Sequence, residues 1–291
     1  MTGFDTVAVA GLGLIGGSAA RDLAAAGVRV VGWDRDPAAV AAALGEGIAS
    51  AALGPGLEGL EAADVLLLAV PVGAAPALLQ AAVPRLGGVR LVTDTGSTKA
   101  SIVAAAERLG IAERFVGGHP LAGDHRAGWG ASRTGLFAGA TVYLCPSGQS
   151  SSDAVALARQ LWSAIGGAPV ELLAAEHDRR LAWTSHLPHV VSTALANVLA
   201  SHGIPHADLG PGGRDVTRLA ASSPSLWTDI LLDNAPRLAE ALAAMEDRIR
   251  SIRALIEAGD APSIWTVFHS AHAWGEANIE ANERFGVSEG P

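Results

Sequence analysis

Residues 6–18 read Thr-Val-Ala-Val-Ala-Gly-Leu-Gly-Leu-Ile-Gly-Gly-Ser. Thr6–Ala10 is a short β-prone run, and the alanine-rich stretch that continues to about Ala26 is helical in composition. Between them Gly11, Gly13 and Gly16 have the spacing G-x-G-x-x-G. That spacing alone is weak evidence, since a plain tight turn also explains it. The context strengthens it: a strand precedes, a helix follows, and a second strand, Val28–Trp33, ends with Asp34 next in line. The first glycine then permits the turn, and the second lets backbone approach a pyrophosphate. The third lets the helix pack closely on the strand, with the helix N-terminus facing the negative charge. The expected dinucleotide site comprises Gly11, Gly13, Leu14, Ile15 and Gly16, together with Asp34, Arg35, Val70 and Thr95. Asp34 can accept hydrogen bonds from both ribose hydroxyls and would repel a 2′-phosphate, which favours NAD over NADP. Arg35 could hold such a phosphate and pulls the other way.

Outward from this turn the alternation continues. Pro37–Leu44 is helical, and Val65–Val70 is apolar throughout, as a strand covered on both faces is. Val89–Thr93, Phe115–Gly118, Thr141–Leu144 and Val170–Leu173 are further strand candidates, with helical composition between most of them. Gly27 stands where a helix C-cap glycine belongs. This rhythm predicts an α/β, Rossmann-type, doubly wound parallel sheet. From Glu176 onward no strand is evident, and Ala175–His202, Pro224–Leu232 and Ala235–Glu257 read as helices. The expected division is a dinucleotide-binding domain over residues 1–172 and an all-helical domain over residues 173–291.

The 291 residues accommodate two domains, and 49% hydrophobic against 17% charged residues provides apolar material for two cores. A formal charge of −9 argues against a nucleic-acid partner. The single cysteine, Cys145, excludes an intrachain disulfide and a cysteine-rich metal site, and it fits a reducing, cytoplasmic setting. The N-terminus has no basic region ahead of an apolar stretch, so no signal peptide is expected. Val65–Pro84 carries no charge and has about the length of a membrane span, but Pro71, Gly73 and Pro76 interrupt it. A strand, a turn and a helix are expected there instead.

Ligands of a doubly wound sheet sit beyond the carboxyl ends of its strands, and two polar segments fall there. In Asp94-Thr95-Gly96-Ser97-Thr98-Lys99, one hydroxyl of Ser97 or Thr98 can cap the next helix while the other serves the site. In Gly117-Gly118-His119-Pro120-Leu121-Ala122-Gly123, a histidine between a diglycine and a proline is poorly explained as core. Its pKa range suits accepting a proton near neutrality. The helical half adds Ser185-His186-Leu187-Pro188-His189, whose histidines have a spacing shared with metal pairs. No third ligand stands beside them, and no metal is expected. Arg214 and Arg218 lie one helical turn apart. Arginine suits bidentate carboxylate recognition, and a surface ion pair with Asp215 or Asp229 is the competing explanation.

Seven segments in order resemble one family: GLGLIGGS at 11–18, GWDRDP at 32–37, DTGSTK at 94–99, GGHPLAG at 117–123, SHLPH at 185–189, GGRDVTRLA at 212–220 and SLWTDI at 225–230. They are similar to the prephenate dehydrogenases and the related arogenate dehydrogenases of tyrosine biosynthesis, over nearly the whole chain. The resemblance implies NAD-dependent oxidative decarboxylation of prephenate to 4-hydroxyphenylpyruvate. Arogenate to tyrosine, or both in a cyclohexadienyl dehydrogenase, is the alternative. It also implies a homodimer formed through the helical domain. By position, His119 resembles the family's catalytic histidine, and Ser97 the serine that orients it. Arg218 resembles the arginine that binds the ring carboxylate, and Ser185 and His189 resemble residues of the substrate pocket. Trp227 and Asp215 resemble residues near a dimer-completed site.

One segment departs from the family. Where a short side chain and then a glutamate commonly follow the histidine motif, this chain has Asp124-His125-Arg126. The position borders the substrate side chain, so Asp124 would suit arogenate's ammonium and His125 or Arg126 would suit prephenate. Two rivals remain. A β-hydroxyacid dehydrogenase relies on a lysine in its helical half, whereas the single lysine here, Lys99, lies in the other half. A nucleotide-sensing module would leave His119, Ser97 and Arg218 without a joint role.

Overall fold

The computed structural model describes residues 3–124 and 126–284. β1 (Thr6–Ala10) leads through the glycine turn into α1 (Leu14–Ala25). Gly11 has φ of +100°, and a Cβ there would lie 2.2 Å from the Ala69 carbonyl oxygen. A Cβ on Gly16 would lie 1.9 Å from the carbonyl oxygen of Gly11. The close packing of turn, strand and helix therefore requires glycine at both positions.

There follow β2 (Arg29–Trp33), α2 (Pro37–Gly45), β3 (Ala51–Ala52), β4 (Val65–Leu68), α3 (Ala75–Ala82), β5 (Leu91–Asp94) and α4 (Ala100–Arg108). β6 (Phe115–Pro120), β7 (Thr141–Pro146), α5 (Ser152–Ala164) and β8 (Ala168–Glu171) complete the sheet and its cover. The strand order is β3-β2-β1-β4-β5-β6-β7-β8. Its direction of growth reverses between β1 and β4, which opens a ligand crevice at their carboxyl ends. Both faces are covered. Val7 and Val9 share a core with Leu23 of α1 and Leu161 of α5, whereas Ala8 and Ala10 share one with Leu79 of α3 and Ile102 of α4. β4 is buried along its whole length, and the uncharged Val65–Pro84 segment begins as strand, turn and helix. Among the described residues no helix is long and apolar enough to cross a membrane.

The sheet is not wholly parallel, as its rhythm predicts. β7 runs antiparallel to β6, and β8 runs parallel to β7. A parallel return from β6 would need a crossover helix. The described residues of the connection hold only a short 3-10 turn, Trp129–Ala131. The antiparallel return sets Tyr143 directly opposite His119. Smaller differences sit at strand ends: β4 stops at Leu68, β5 spans Leu91–Asp94 and β8 spans Ala168–Glu171. β3, two alanines long, is too short to leave a periodic signal.

The helices after the sheet are α6 (Ala174–Leu181), α7 (Leu187–Ser201), α8 (Pro211–Thr217), α9 (Pro224–Asp233), α10 (Ala235–Ala258) and α11 (Ala261–Arg284). The single helix expected over Ala175–His202 is α6 and α7 joined by a π-turn at Ala182–His186. Pro188 has no N–H to give the Thr184 carbonyl, which accounts for the widened turn just before it. α11 lies beyond the helices that the sequence pattern marks. The chain separates into two compact units, one up to Leu238 and one from Ala239.

Beneath the ends of β5 and β6, Lys99 and Asp94 form a buried ion pair, their side chains 0% and 2% exposed. Asp94 also accepts hydrogen bonds from the N–H groups of Gly96 (2.8 Å) and Gly118 (3.1 Å). Removing one partner of such a pair strands the other charge and typically costs about 3–5 kcal/mol. Lys99→Met is expected to lower the unfolding free energy by that amount in a urea titration. An unchanged midpoint would show that the pair does not hold these strand ends.

Candidate active site

A cleft of about 830 Å³ opens at the carboxyl ends of β1, β2 and β4, lined by Gly11, Gly13, Asp34, Arg35, Val70 and Trp129 among others. Asp34 is fixed at its edge: Oδ2 accepts from the Leu12 N–H at 2.6 Å and Oδ1 from the Asp36 N–H at 2.8 Å. Each carboxylate oxygen has a further lone pair, enough for two ribose hydroxyls. Gly13 is the N-cap of α1 and offers no side-chain cap. A Cβ built on it would meet nothing within 4 Å. The protein's own packing does not ask for glycine there, but a pyrophosphate over the bare helix N-terminus does. The residues present therefore fit a dinucleotide. Four expected cofactor residues do not line the cleft. Gly16 is consumed by packing, and the Leu14 and Ile15 side chains reach toward Gly123. The Thr95 N–H bonds to the Leu68 carbonyl at 3.0 Å. Leu14 and Ile15 can serve a phosphate only through their backbone.

A second cavity, about 550 Å³, brings together four of the expected residues: Ser97, His119, Ser185 and Trp227. It is also lined by Tyr143, Arg180 and Thr184, which sequence reasoning missed. Tyr143 arrives through the antiparallel β7, and Arg180 and Thr184 through the end of α6 and the π-turn.

His119 is held from behind by residues the sequence did not single out. Its Nδ1 lies 2.8 Å from Nε2 of His177, and Nδ1 of His177 lies 2.8 Å from Oδ1 of Asp178. Asp178 in turn accepts from the backbone N–H groups of Lys99 and Ala100, each at 2.8 Å. Burial by itself would raise the Asp178 pKa, but the hydrogen bonds from His177 and the two amides outweigh it and hold the carboxyl below its ordinary range. An ionised carboxylate can only accept, so the His177 Nδ1 carries a proton and its Nε2 is an acceptor. His119 must then donate through Nδ1, which leaves the lone pair on Nε2 for the cavity. Burial pushes the His119 pKa well below 6.5, helped by the nearby His177 and Lys99. His119 is therefore a neutral, oriented base at ordinary pH. Ser97 shares the cavity with it, but the Nδ1 partner that orients the ring is His177, not Ser97.

The capping expectation at Ser97 or Thr98 also changes. α4 has no local side-chain cap. The Asp178 carboxylate from α6 takes its first amides, and the Thr98 hydroxyl donates to Asp233 Oδ2 at 2.6 Å. A carboxylate accepts more strongly than a hydroxyl and displaces the local cap.

The remaining expected substrate residues stand at a remove from this cavity. His189 stacks on Trp227 with ring centroids 3.6 Å apart, and its Nδ1 lies 3.0 Å from the Ser185 carbonyl oxygen. Burial lowers its pKa, and the charge of Arg218 adds to the shift, which puts that guanidinium in its neighbourhood. Arg218 itself does not line the cavity. His186 points elsewhere than His189, into a buried contact with Asn234 at 3.2 Å. Asp124 also lies outside the lining and is tied to Arg126 at 2.8 Å and Arg133 at 2.9 Å. His125 lies outside the described residues.

A dinucleotide cleft and a cavity presenting a neutral histidine, both at the carboxyl edge of one doubly wound sheet, define a pyridine-nucleotide dehydrogenase of a small substrate. Two family models match: "Prephenate dehydrogenase, nucleotide-binding domain" over residues 19–171 and "Prephenate dehydrogenase, dimerization domain" over residues 173–270. The first begins beyond the glycine turn, so the turn is independent support. The chain belongs to the prephenate dehydrogenase family. It is 33% identical to a prephenate dehydrogenase of Bacillus subtilis over 92% of this chain and 74% of that one. It is 35% identical to a cyclohexadienyl dehydrogenase of Zymomonas mobilis over 89% and 91%. Among solved structures, a prephenate dehydrogenase from A. aeolicus, in complex with hydroxyphenyl propionate and NAD+, superposes with a TM-score of 0.84 at 28% identity, covering 97% of this chain and 98% of that one. A Synechocystis arogenate dehydrogenase gives 0.79 at 26% identity, covering 94% and 99%.

The open space over Gly13 separates folding from cofactor binding. Gly13→Ala is expected to fold with an unchanged melting temperature while weakening NAD+ binding by about tenfold or more, since a methyl group would stand where backbone must approach the pyrophosphate. A fluorescence titration of NAD+ checks this, and wild-type affinity in the variant would remove the pyrophosphate from that spot.

Proposed function

We propose that this chain catalyses the oxidative decarboxylation of prephenate to 4-hydroxyphenylpyruvate in tyrosine biosynthesis, as a cytoplasmic homodimer whose nucleotide-binding part ends near residue 172. The observation that carries this reading is the series His119–His177–Asp178, which leaves Nε2 of a neutral histidine in a cavity of substrate size. NAD+, when bound, supplies the hydride acceptor. His119 Nε2 takes the proton of the ring hydroxyl as hydride leaves the carbon that bears it. The bond to the ring carboxylate then breaks, its electron pair enters the ring, and CO₂ departs. His119 returns its proton to the phenolate oxygen, so the reaction consumes and releases no net proton. Asp178 is the stationary end of the series: it stabilises the positive charge that His119 shares with His177 between these two events. Ser97 is placed to hydrogen-bond the hydroxyl from the cavity side. Arg218, whose charge acts on His189, is assigned to the ring carboxylate, which it would hold ionised and ready to leave.

The homodimer is supported by the matched dimerization domain and by Trp265 and Phe268 on α11, 65% and 66% exposed. Oxidation of arogenate is the second reading, favoured by the Synechocystis and Zymomonas relatives. NADH formation with prephenate and with arogenate tests both, and no turnover of either would overturn the assignment.

His119→Asn is expected to lower kcat by about 10²–10⁴-fold with little change in KM, the range for loss of a general base. Because burial depresses the His119 pKa, the base form persists as pH falls below 6.5. The acid limb of kcat/KM should therefore inflect below pH 6.5, and a limb at or above that value would assign the base elsewhere. His177→Phe keeps a ring but removes the acceptor for His119. It should lower kcat while leaving KM and NAD+ affinity in place, and His177→Gln, which restores an acceptor, should recover part of the loss. Equal activity in the two variants would reduce His177 to a packing role.

A further inference from the structure

We infer that Arg180 binds the carboxylate of the substrate's three-carbon side chain, and that the cavity rejects an ammonium on that chain. The inference rests on the reaction proposed above and names the substrate it selects: the 2-oxo acid, prephenate, over the amino acid, arogenate.

Among the described residues that line the cavity, Arg180 is the one that carries a charge at neutral pH. The others are hydroxyls, apolar side chains and the neutral His119. Among the described residues of this chain no carboxylate lines it, so an ammonium entering the cavity would lose water and gain no counter-ion from them. The acid that the loop after His119 could have supplied, Asp124, is already committed. Arg126 grips it with two guanidinium nitrogens, at 3.2 and 2.8 Å, and Arg133 adds a third contact at 2.9 Å. These bonds hold its carboxyl far below the usual range.

Arg180 is exposed, but it lines the cavity and Tyr143 anchors it there. Its Nη1 donates to Tyr143 Oη at 3.3 Å, and its Cζ lies 5.9 Å from the centre of the Tyr143 ring. Tyr143 is the residue paired across the sheet with His119, so the guanidinium is fixed relative to the base. Glu176, one turn earlier on α6, feels the charge of Arg180 but is paired through both carboxylate oxygens with Arg179. The remaining N–H groups of Arg180 form a fork of the kind that grips a carboxylate. The competing explanation is a solvated arginine at a helix C-terminus, which would contribute nothing to ligand binding.

Binding of three phenols that differ only in the side chain tests this by calorimetry in the presence of NAD+: 3-(4-hydroxyphenyl)propionate, 4-ethylphenol and tyrosine. In the wild-type protein, tyrosine should bind at least about tenfold more weakly than the propionate, as expected for an ammonium left without a partner. Arg180→Gln should weaken the propionate by about 10–100-fold, the range for a hydrogen-bonded charge, and leave 4-ethylphenol unchanged. Arg180→Lys should fall between, and NAD+ affinity, measured alongside, should not move. Equal losses for propionate and ethylphenol, or no loss for either, would overturn the carboxylate assignment. Tyrosine binding as tightly as the propionate would overturn the ammonium selection. Absence of prephenate turnover with this binding pattern intact would count against the proposed reaction, not against Arg180. In turnover, wild-type kcat/KM for prephenate should exceed that for arogenate, and the ratio should shrink in Arg180→Gln. A preference for arogenate would overturn the selection.

Discussion

The carboxylate of Asp178 is where the architecture of this site is joined. It accepts from the first amides of α4 and from His177, while its own backbone carbonyl accepts from Asn234 Nδ2 at 2.8 Å. One residue of α6 thereby ties the loop after β5, the histidine series and the end of α9. A buried carboxylate normally protonates to escape the cost of its charge. This one is met by the positive end of a helix and by N–H donors on both oxygens, so it stays ionised where water cannot reach. Its ionisation has a directional consequence. An acceptor at one end of a row of two imidazoles sets the tautomer of both, and the tautomer of the second leaves a lone pair and not an N–H on the atom that faces the cavity.

The same surroundings explain why His119 is both buried and neutral. Lys99 brings a full positive charge close by, and that charge disfavours protonated His119. Asp94 is paired with Lys99, and the amides from which Asp94 accepts belong to the two glycines beside Ser97 and His119. Lys99, whose ion pair ties the two loops together, is therefore also part of the field that keeps His119 unprotonated. Cys145, in the same interior, shows the other side of this environment: burial pushes its thiol up to about 12, which makes it inert.

The parts of the fold that were legible in the sequence are those whose causes are local. A turn that closes on Gly11 and packs on Gly16 must spell out those glycines, and a strand covered on both faces must be apolar at successive positions. His119 was legible because a histidine between glycines and a proline has no packing reason to be there. His177 and Asp178 were not, since their partners lie 58 and 79 positions away in the chain. In sequence they pass for part of a charged helix, Glu-His-Asp-Arg-Arg. A signal did exist. His177 and Asp178 share the buried stripe of α6 with Leu181, while the flanking Arg179 and Arg180 are exposed, and polar groups on an apolar stripe call for partners. The reversed β7 was illegible for a related reason, because strand direction depends on the connection and not on the strand. With it went Tyr143, which no motif marks.

The departure at Asp124-His125-Arg126 shows how a motif can locate a question without containing its answer. Read in sequence, Asp124 offers a charge to whatever side chain approaches the histidine. In three dimensions that charge is already satisfied by Arg126 and Arg133, with no part in the cavity wall. The charge that does reach the cavity comes from α6, on the helical side, and from a residue flanked by another arginine that is spent on Glu176. Two neighbours of the same type thus have opposite fates, settled by which side of one helix each occupies. The loop that carries the base and the helix that carries the cation are separate pieces of chain. On the reading proposed above, chemistry at the ring hydroxyl and recognition of the distal side chain can then change independently, which fits a family that includes both a prephenate and an arogenate dehydrogenase.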